Sequence, residues 1–184
     1  QNHIADMDSY KDSLEAYQGP EKVFIRNAIH KVHANQAAMN GYMPKIIFPE
    51  GSSSKILKSL QTIVEEKICE PILLGYPDRV KEKIRTLELK NLENVPVIHP
   101  SQHPNYKRYT LELYRRRQRK GVTMGEAERL MGDPNYFASM MIAMGDADGM
   151  VTGSSINYAD AVRPIFQVIG LGHGAVPCGL TILL

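Results

Sequence analysis

Short apolar segments alternate with helix-like segments through the middle of this chain, and this alternation restricts the fold more than any other feature. "KIIFPE" at 45–50, "EPILLGY" at 70–76 and "NVPVIHP" at 94–100 are short and apolar, as buried strands are. Between them, 54–67 and 77–87 carry apolar residues at helical spacing. Strands that alternate with helices of this length pair in parallel through right-handed crossovers. The sequence therefore predicts an α/β domain with a parallel sheet.

The N-terminal segment is predicted to form a helical arm. "ADMDSYKDSLEAY" at 5–17 and "KVFIRNAIHKVHANQA" at 22–37 carry apolar residues at helical spacing, and "GP" at 19–20 separates them. We therefore divide the chain into an arm, 1–40, and an α/β domain, 41–184. The apolar faces of the arm have no partner in their own sequence neighbourhood. We expect them to pack on the α/β core or on another subunit, and we expect a homo-oligomer.

Composition excludes several classes of protein. The chain has 184 residues, of which 43% are hydrophobic and 23% charged, as in globular proteins. Its formal net charge of +2 is small for a surface that coats nucleic acid. No apolar stretch reaches the roughly 20 residues of a membrane span, and neither the two cysteines nor the histidines show metal-ligand spacing. We expect a cytoplasmic protein that binds neither membrane nor nucleic acid and has no metal site in this segment.

Because it begins at Gln1 and ends on the apolar run "CGLTILL", we interpret the segment as a fragment of a longer protein.

Five cationic side chains occupy the six positions 115–120, at the end of a helix predicted to begin near Tyr106 and to end at Gly121. Such a run can serve nucleic acid, a phosphorylated ligand or only a solvated helix end. Because the chain as a whole is nearly neutral, nucleic acid is the weakest of the three. Cations at a helix C-terminus also complement its dipole by about 0.3–1 kcal/mol each, which favours the solvated helix end for most of the run.

Two helix starts are predicted after this run. Thr123 and Glu126 have the spacing of a capping box, and Asp133 with Pro134 supplies an N-cap and a first helical position. The second helix carries an apolar face that we interpret as core and not as a cofactor site: Phe137, Met140, Met141 and Met144.

A ligand is expected where the next predicted strand ends. "GDADGMVTGSS" at 145–155 indicates a turn, a short strand at 150–152 and a loop of small residues. In open α/β sheets, ligands bind at the carboxyl ends of the strands. Arg163 lies near the start of the following helix, where a cation opposes the helix dipole. It therefore indicates either a nearby phosphate or carboxylate, or a salt bridge with Asp160 or Asp148.

Two further patterns are rejected. "GLGHGA" at 170–175 fits a dinucleotide-binding spacing, but it follows a predicted helix where that fingerprint follows a strand. Ser154, Ser155 and His173 lack the G-x-S-x-G elbow and the acid of a hydrolase triad.

The string "RKGVTMGEAERLMGDPNYFASMMIAMGDADGMVTGSSINYADAVRP" at 119–164 resembles the phosphate acetyl/butyryltransferase family. That family joins a basic "RK-KG-T" helix end, a "YFA-MM" helix, a "G-DG-V-G" strand and an "LRP" helix start. "KIIFPEGSSSKILKS" at 45–59 and "EPILLGYPDRV" at 70–80 are similar to its first two strand–helix units. The resemblance covers residues 44–184, about the first half of such a domain. It implies the family's three-layer fold around a parallel sheet.

The resemblance also implies a set of binding residues. Arg117 matches the family's coenzyme A-binding arginine at the basic helix end, and Arg163 matches the second one, ahead of a proline. Together they would meet the anionic groups of acetyl-CoA or a related acyl-CoA, whose phosphates a guanidinium binds bidentately. Gly153, Ser154 and Ser155 would line the same cleft. The family's catalytic residues lie in the second half of its domain, so no catalytic residue is assigned in this chain.

The N-terminal arm indicates which kind of protein within this family the chain resembles. "HIADMDSYKDSLEAYQG" at 3–19 and "EKVFIRNAIHKVHAN" at 21–35 resemble the segment that precedes the phosphotransacetylase-like C-terminal region of large bacterial NADP-dependent malic enzymes. This implies a parent enzyme that oxidatively decarboxylates malate to pyruvate, with NADP and Mg or Mn bound outside this segment. Acetyl-CoA would act on the present domain as an effector that shifts active and inhibited oligomers. The alternative is a phosphate acetyltransferase, which exchanges acetyl-CoA and phosphate for acetyl phosphate and coenzyme A.

Overall fold

The computed structural model describes residues 19–172 and Val176, and the chain divides into two compact units. One unit comprises residues 1–42 with 178–184, and its described helix is α1 (Pro20–Ala38). This confirms the helix predicted over 22–37, although Ile25 on its predicted apolar face is exposed. The helix predicted over 5–17 lies outside the described residues. The packing of the arm and the assignment of separate roles to 1–40 and 41–184 stay predictions.

The second unit, residues 43–177, contains a parallel sheet. Its described strands are β1 (Lys45–Phe48), β2 (Glu70–Leu74), β3 (Val97–Ile98) and β4 (Gly149–Met150), in the order β3-β2-β1-β4. All three strand pairs are parallel, which confirms the predicted fold class. The strands are shorter than the apolar segments that predicted them.

Six α-helices of this unit are described, and each lies where the sequence predicted a helix: α2 (Ser54–Glu65), α3 (Pro77–Thr86), α4 (Tyr106–Arg117), α5 (Met124–Met131), α6 (Pro134–Ala143) and α7 (Tyr158–Val168).

The core consists of two apolar layers, one on each face of the sheet. Neighbouring residues of a strand point to opposite faces. Ile47 and Leu74 therefore pack against α4 to α7, whereas Phe48 and Leu73 pack against α2 and α3. The predicted apolar face of α6 is confirmed as core, because Phe137 and Met140 are fully buried. Helices on both faces give the three layers.

The predicted helix starts are confirmed with one difference. The Asp133 carboxylate accepts hydrogen bonds from the backbone N–H of Asn135 and Tyr136 at the start of α6. At the start of α5, the Thr123 hydroxyl accepts from the Glu126 N–H at 3.2 Å. The Glu126 carboxylate binds Arg129 at 2.6 Å where a complete capping box would turn it back toward Thr123.

Within the described residues, no helix has the length and apolar character needed to cross a lipid bilayer. The same part of the chain contains no group of three or more His, Cys, Asp or Glu side chains arranged to hold a metal ion.

Candidate functional site

The two predicted anion-binding arginines, Arg117 at the end of α4 and Arg163 in α7, act on the same tyrosine. Tyr136 of α6 is 7% exposed. Burial raises the pKa of its phenol, while the positive charges of Arg163 and Arg117 act to lower it. A positive charge nearby favours the ionised form of a phenol. Both guanidinium groups therefore lie within electrostatic range of Tyr136, although they are 46 positions apart in sequence by their numbers.

Tyr136 also links two helices of the second unit. Its hydroxyl donates a hydrogen bond to Oε1 of Gln167 in α7 at 2.7 Å. A third cation, Arg129, also acts on the Tyr136 phenol. The Glu126 carboxylate already binds Arg129, at 2.6 and 3.1 Å, so its charge is compensated locally. We call Arg117, Tyr136 and Arg163 the cationic cluster.

Arg117 differs from its neighbours in lacking a partner for a buried donor. Its Nε atom is buried and has no hydrogen-bond partner in the part of the chain that the structure describes. A buried donor without a partner costs about 1–3 kcal/mol, so an acceptor that satisfied it would gain that free energy. Such a group is suited to bind an anion.

Arg163 is held only weakly by the chain itself. Its guanidinium lies 3.8 Å from the Asp160 carboxylate, and both side chains are more than half exposed. An exposed pair at this distance contributes little, about 0–1 kcal/mol. The predicted alternative, a salt bridge to Asp160, is therefore present but loose. Asp148, the other candidate partner, accepts a hydrogen bond from the Lys45 N–H at 2.7 Å.

The rest of the cationic run forms an exposed helix end, as predicted for most of it. Arg116 binds Glu112 at 2.9 Å and donates to the Val168 carbonyl at 3.1 Å. Arg115 is exposed. The α-helix ends three residues earlier than predicted, because positions 118–120 form a 3-10 turn that Gly121 closes with a φ of 88°.

Three predicted site residues, Gly153, Ser154 and Ser155, form a ring of backbone donors that we call the amide nest. Their N–H groups donate to one carboxylate, that of Glu50, at 2.8, 2.8 and 2.6 Å. The Ser155 hydroxyl donates to the same carboxylate. Successive backbone N–H groups of this kind form an anion-binding concavity. The prediction that these three residues line a ligand cleft stays a prediction, since in this structure their amides bind Glu50.

Glycine permits this geometry at two positions. A side chain at Gly51 would place its Cβ 2.5 Å from the Leu74 carbonyl oxygen, so only glycine lets the chain after β1 pass close to β2. Gly153 has a φ of 98°, a conformation that other residues rarely adopt. The two glycines bring Glu50 and the amide nest together at the carboxyl ends of β1 and β4.

The Glu50 carboxylate is stabilised in its charged form. Burial acts to raise its pKa, but the hydrogen bond from the Ser155 hydroxyl and those from the amide nest together outweigh burial, so the pKa lies below its usual value. A neighbouring contact anchors the same loop, since the Thr152 hydroxyl donates to Oδ1 of the buried Asn135 at 2.7 Å.

The opposite edge of the sheet, at the amino ends of the strands, contains a cavity of about 600 Å³. Apolar side chains such as Ile72 and Met141 line it, together with Lys45, Glu70 and Asp146. The Tyr109 hydroxyl donates to the Asp146 carboxylate. Burial and this bond raise the pKa of Tyr109 to about 12.

The sequence analysis missed Glu50, Tyr136 and Gln167. Glu50 carried a usable signal, because it lies two residues after β1, at the carboxyl end of the strand where ligands bind. Nothing in the local sequence marks the Tyr136–Gln167 pair. The rejected segment 170–175 lies partly outside the described residues, and both His173 and Cys178 lie outside them.

Comparisons with known proteins agree with this fold. A family model described as "Phosphate acetyl/butaryl transferase" matches residues 28–183. Phosphate acetyltransferase of Nitratidesulfovibrio vulgaris is 34% identical over 148 residues, which cover 80% of this chain and 20% of that protein. NADP-dependent malic enzyme of Escherichia coli is 29% identical over 180 residues, 96% of this chain and 23% of that protein. The chain thus spans about a fifth of the length of these curated relatives.

A solved structure shares the architecture. EutD phosphotransacetylase from Staphylococcus aureus superposes with a TM-score of 0.70 at 27% identity, over 79% of this chain and 44% of that one. The predicted phosphotransacetylase-like, three-layer α/β fold is confirmed.

Proposed function

The chain belongs to the phosphate acetyl/butyryltransferase family, and from that premise we propose that the cationic cluster binds the phosphates of acetyl-CoA or a related acyl-CoA. The observation that carries the proposal is Arg117, whose buried Nε has no acceptor among the described residues. A phosphate oxygen is the acceptor that a guanidinium binds best, because it accepts charge-assisted, bidentate hydrogen bonds. Arg163, exposed and loosely paired, supplies a second guanidinium close by.

The other predicted site residues have a different role in this proposal. The N–H groups of Gly153, Ser154 and Ser155 are bound by Glu50, so they shape the loop beside the cluster. The Ser154 side chain stays a proposed contact of the ligand. We assign no catalytic residue to this chain, and we propose a binding role for it.

We further propose that the parent protein is an NADP-dependent malic enzyme, in which this region senses acetyl-CoA. The extent of the match supports this. At 96% of the chain, the match to the E. coli malic enzyme has to include most of the arm, whereas the N. vulgaris phosphate acetyltransferase covers 80%. Acetyl-CoA would regulate by binding one oligomeric arrangement more tightly than another, because a ligand shifts an equilibrium only through such a difference.

In this proposal, NADP and a divalent metal supply hydride acceptance and charge stabilisation for malate decarboxylation elsewhere in the parent protein. We assign neither group to residues of this chain. The described residues contain no candidate metal cluster.

A true phosphate acetyltransferase is the second candidate, and a specific observation favours it. The N. vulgaris phosphate acetyltransferase is 34% identical over its 148 matched residues, against 29% over 180 residues for the malic enzyme.

Two assays on the intact parent protein separate the candidates. A malic enzyme regulated through this region should oxidise malate with NADP and lose activity as acetyl-CoA is added. A phosphate acetyltransferase should form acetyl-CoA from acetyl phosphate and coenzyme A. Malate oxidation that is indifferent to acetyl-CoA would refute the regulatory role.

A further inference from the structure

Glu50 connects two segments that are 103 to 105 positions apart in the sequence. It lies just after β1, and its carboxylate accepts every donor of the amide nest and the Ser155 hydroxyl. Hydrogen bonds to a charged acceptor are about twice as strong as neutral ones. One ionised side chain therefore holds the whole turn of the loop between β4 and α7.

The loop leads directly into the helix that carries Arg163. Asn157 caps α7 by accepting a hydrogen bond from the Asp160 N–H at 3.0 Å, only two residues after the nest. Arg163 lies in the second turn of α7, and its own contact with Asp160 is too long to fix it. The placement of the Arg163 guanidinium thus depends in part on where the loop places the first turn of α7, together with the packing of the buried residues Ala161, Pro164 and Val168 of the same helix.

We propose that Glu50 is a positioning residue for acyl-CoA binding, which fixes the amide nest and thereby the first turns of α7, which carry Arg163. This inference rests on the proposed function of the cationic cluster. Its physical basis is preorganisation, because a loop ordered before binding spares the ligand the entropic cost of ordering it. Gly153, with its positive φ, has the backbone freedom of glycine. Without the Glu50 carboxylate, the loop would therefore have many alternative conformations.

Titration calorimetry of acetyl-CoA against three variants tests the proposal. Glu50→Ala should weaken binding about 5- to 10-fold, as expected for a lost ordering of several residues. Glu50→Gln retains an acceptor oxygen but not the charge, so it should recover part of the affinity. The matched control is Glu70→Ala at the first residue of β2, an exposed position at the other edge of the sheet, and it should bind like the wild type.

A double-mutant cycle distinguishes positioning from general damage to the fold. If Glu50 acts through Arg163, Glu50→Ala should cost little additional affinity in an Arg163→Ala background, whereas it should keep its full effect in an Arg117→Ala background. Equal losses in all backgrounds would overturn the proposal. So would tighter binding by Glu50→Ala, which would mean that Glu50 competes with the ligand for the nest.

Hydrogen exchange separates this inference from the proposed function. Even if the wild type does not bind acetyl-CoA, the amides of 153–155 should exchange slowly in the wild type and at least 10-fold faster in Glu50→Ala. Slow exchange in both proteins would show that Glu50 does not hold the loop, whatever the ligand is. If the amides exchange fast in Glu50→Ala and the wild type does not bind acetyl-CoA, the proposed ligand is wrong, but Glu50 still holds the loop in place.

Discussion

The two edges of the sheet differ in what their polar groups do. At the amino edge, a cavity of about 600 Å³ has mostly apolar walls, and the half-buried carboxylate of Asp146 in its lining accepts a hydrogen bond from the buried Tyr109. At the carboxyl edge, the amide nest binds Glu50, and the helix that follows carries an arginine with only a loose partner. The cavity therefore lies at one end of the strands, and the amide nest and the helix that carries Arg163 follow the other end. Our proposal therefore places the anion site by the unsatisfied buried donor of Arg117 and not by the volume of the cavity.

The largest expected effect concerns the cationic cluster. Arg117→Ala should weaken acetyl-CoA binding about 10- to 100-fold, the equivalent of about 1.5–3 kcal/mol for hydrogen bonds to a charged group. Arg115→Ala, an exposed neighbour in the same helix turn, should change the affinity less than twofold.

Titration calorimetry under identical salt checks this pair. Similar losses in both variants would mean that the run acts only through its total charge. The distinction between Arg117 and the solvated helix end would then be lost.

The second largest effect is expected for Tyr109, near the amino edge, and it should change the stability of the fold but not ligand binding. Tyr109→Phe removes the bond to Asp146 and should lower the free energy of unfolding by about 1–2 kcal/mol. The pKa of Tyr109 is raised to about 12 in the folded protein, against 10.0 ordinarily. The unfolded state therefore loses its proton first, and the contribution of Tyr109 to stability disappears as pH rises from about 10 to about 12.

Urea unfolding across this alkaline range checks the sign. Wild type should lose stability more steeply than Tyr109→Phe, and the exposed Tyr158→Phe should behave like wild type. Acetyl-CoA affinity at neutral pH should be unchanged in both variants. A loss of affinity in Tyr109→Phe would place the ligand at the amino edge.

The smallest effect is the acid response of the carboxyl edge. Because the folded pKa of Glu50 lies below the ordinary 4.5, its contribution to stability is present above that value and is lost as pH falls through the folded pKa. The carboxylate is largely solvated, so we expect well under 1 kcal/mol.

Urea unfolding at about pH 6 and about pH 3 should show the wild type losing its advantage over Glu50→Gln. An advantage that persists unchanged at the lower pH would mean that the charge of Glu50 does not contribute.

The sequence predicted the elements well because their determinants are local. Apolar spacing predicted α2 and α3, and the capping residues Thr123 and Asp133 predicted the starts of α5 and α6. The site was predictable only in part. Arg117 was separated from Arg115 and Arg116 by resemblance to a family, since the three have the same charge and neighbouring positions.

What the sequence did not contain was the pairing of distant groups. Tyr136 and Gln167 are 31 positions apart, and Glu50 and Ser155 are 105 apart. Such contacts depend on how the strands pair and how close two backbones come, as the glycine at Gly51 shows. No periodicity within a window of 10 to 20 residues contains that information.

Hydrogen exchange with and without saturating acetyl-CoA tests the central claim most directly, because it reports which edge of the sheet the ligand protects. We predict slower exchange in residues 114–118 and 153–164, with no change in residues 91–105 along the amino-edge cavity. Protection of 91–105 with none at 114–118 would contradict the assignment of acyl-CoA binding to the cationic cluster.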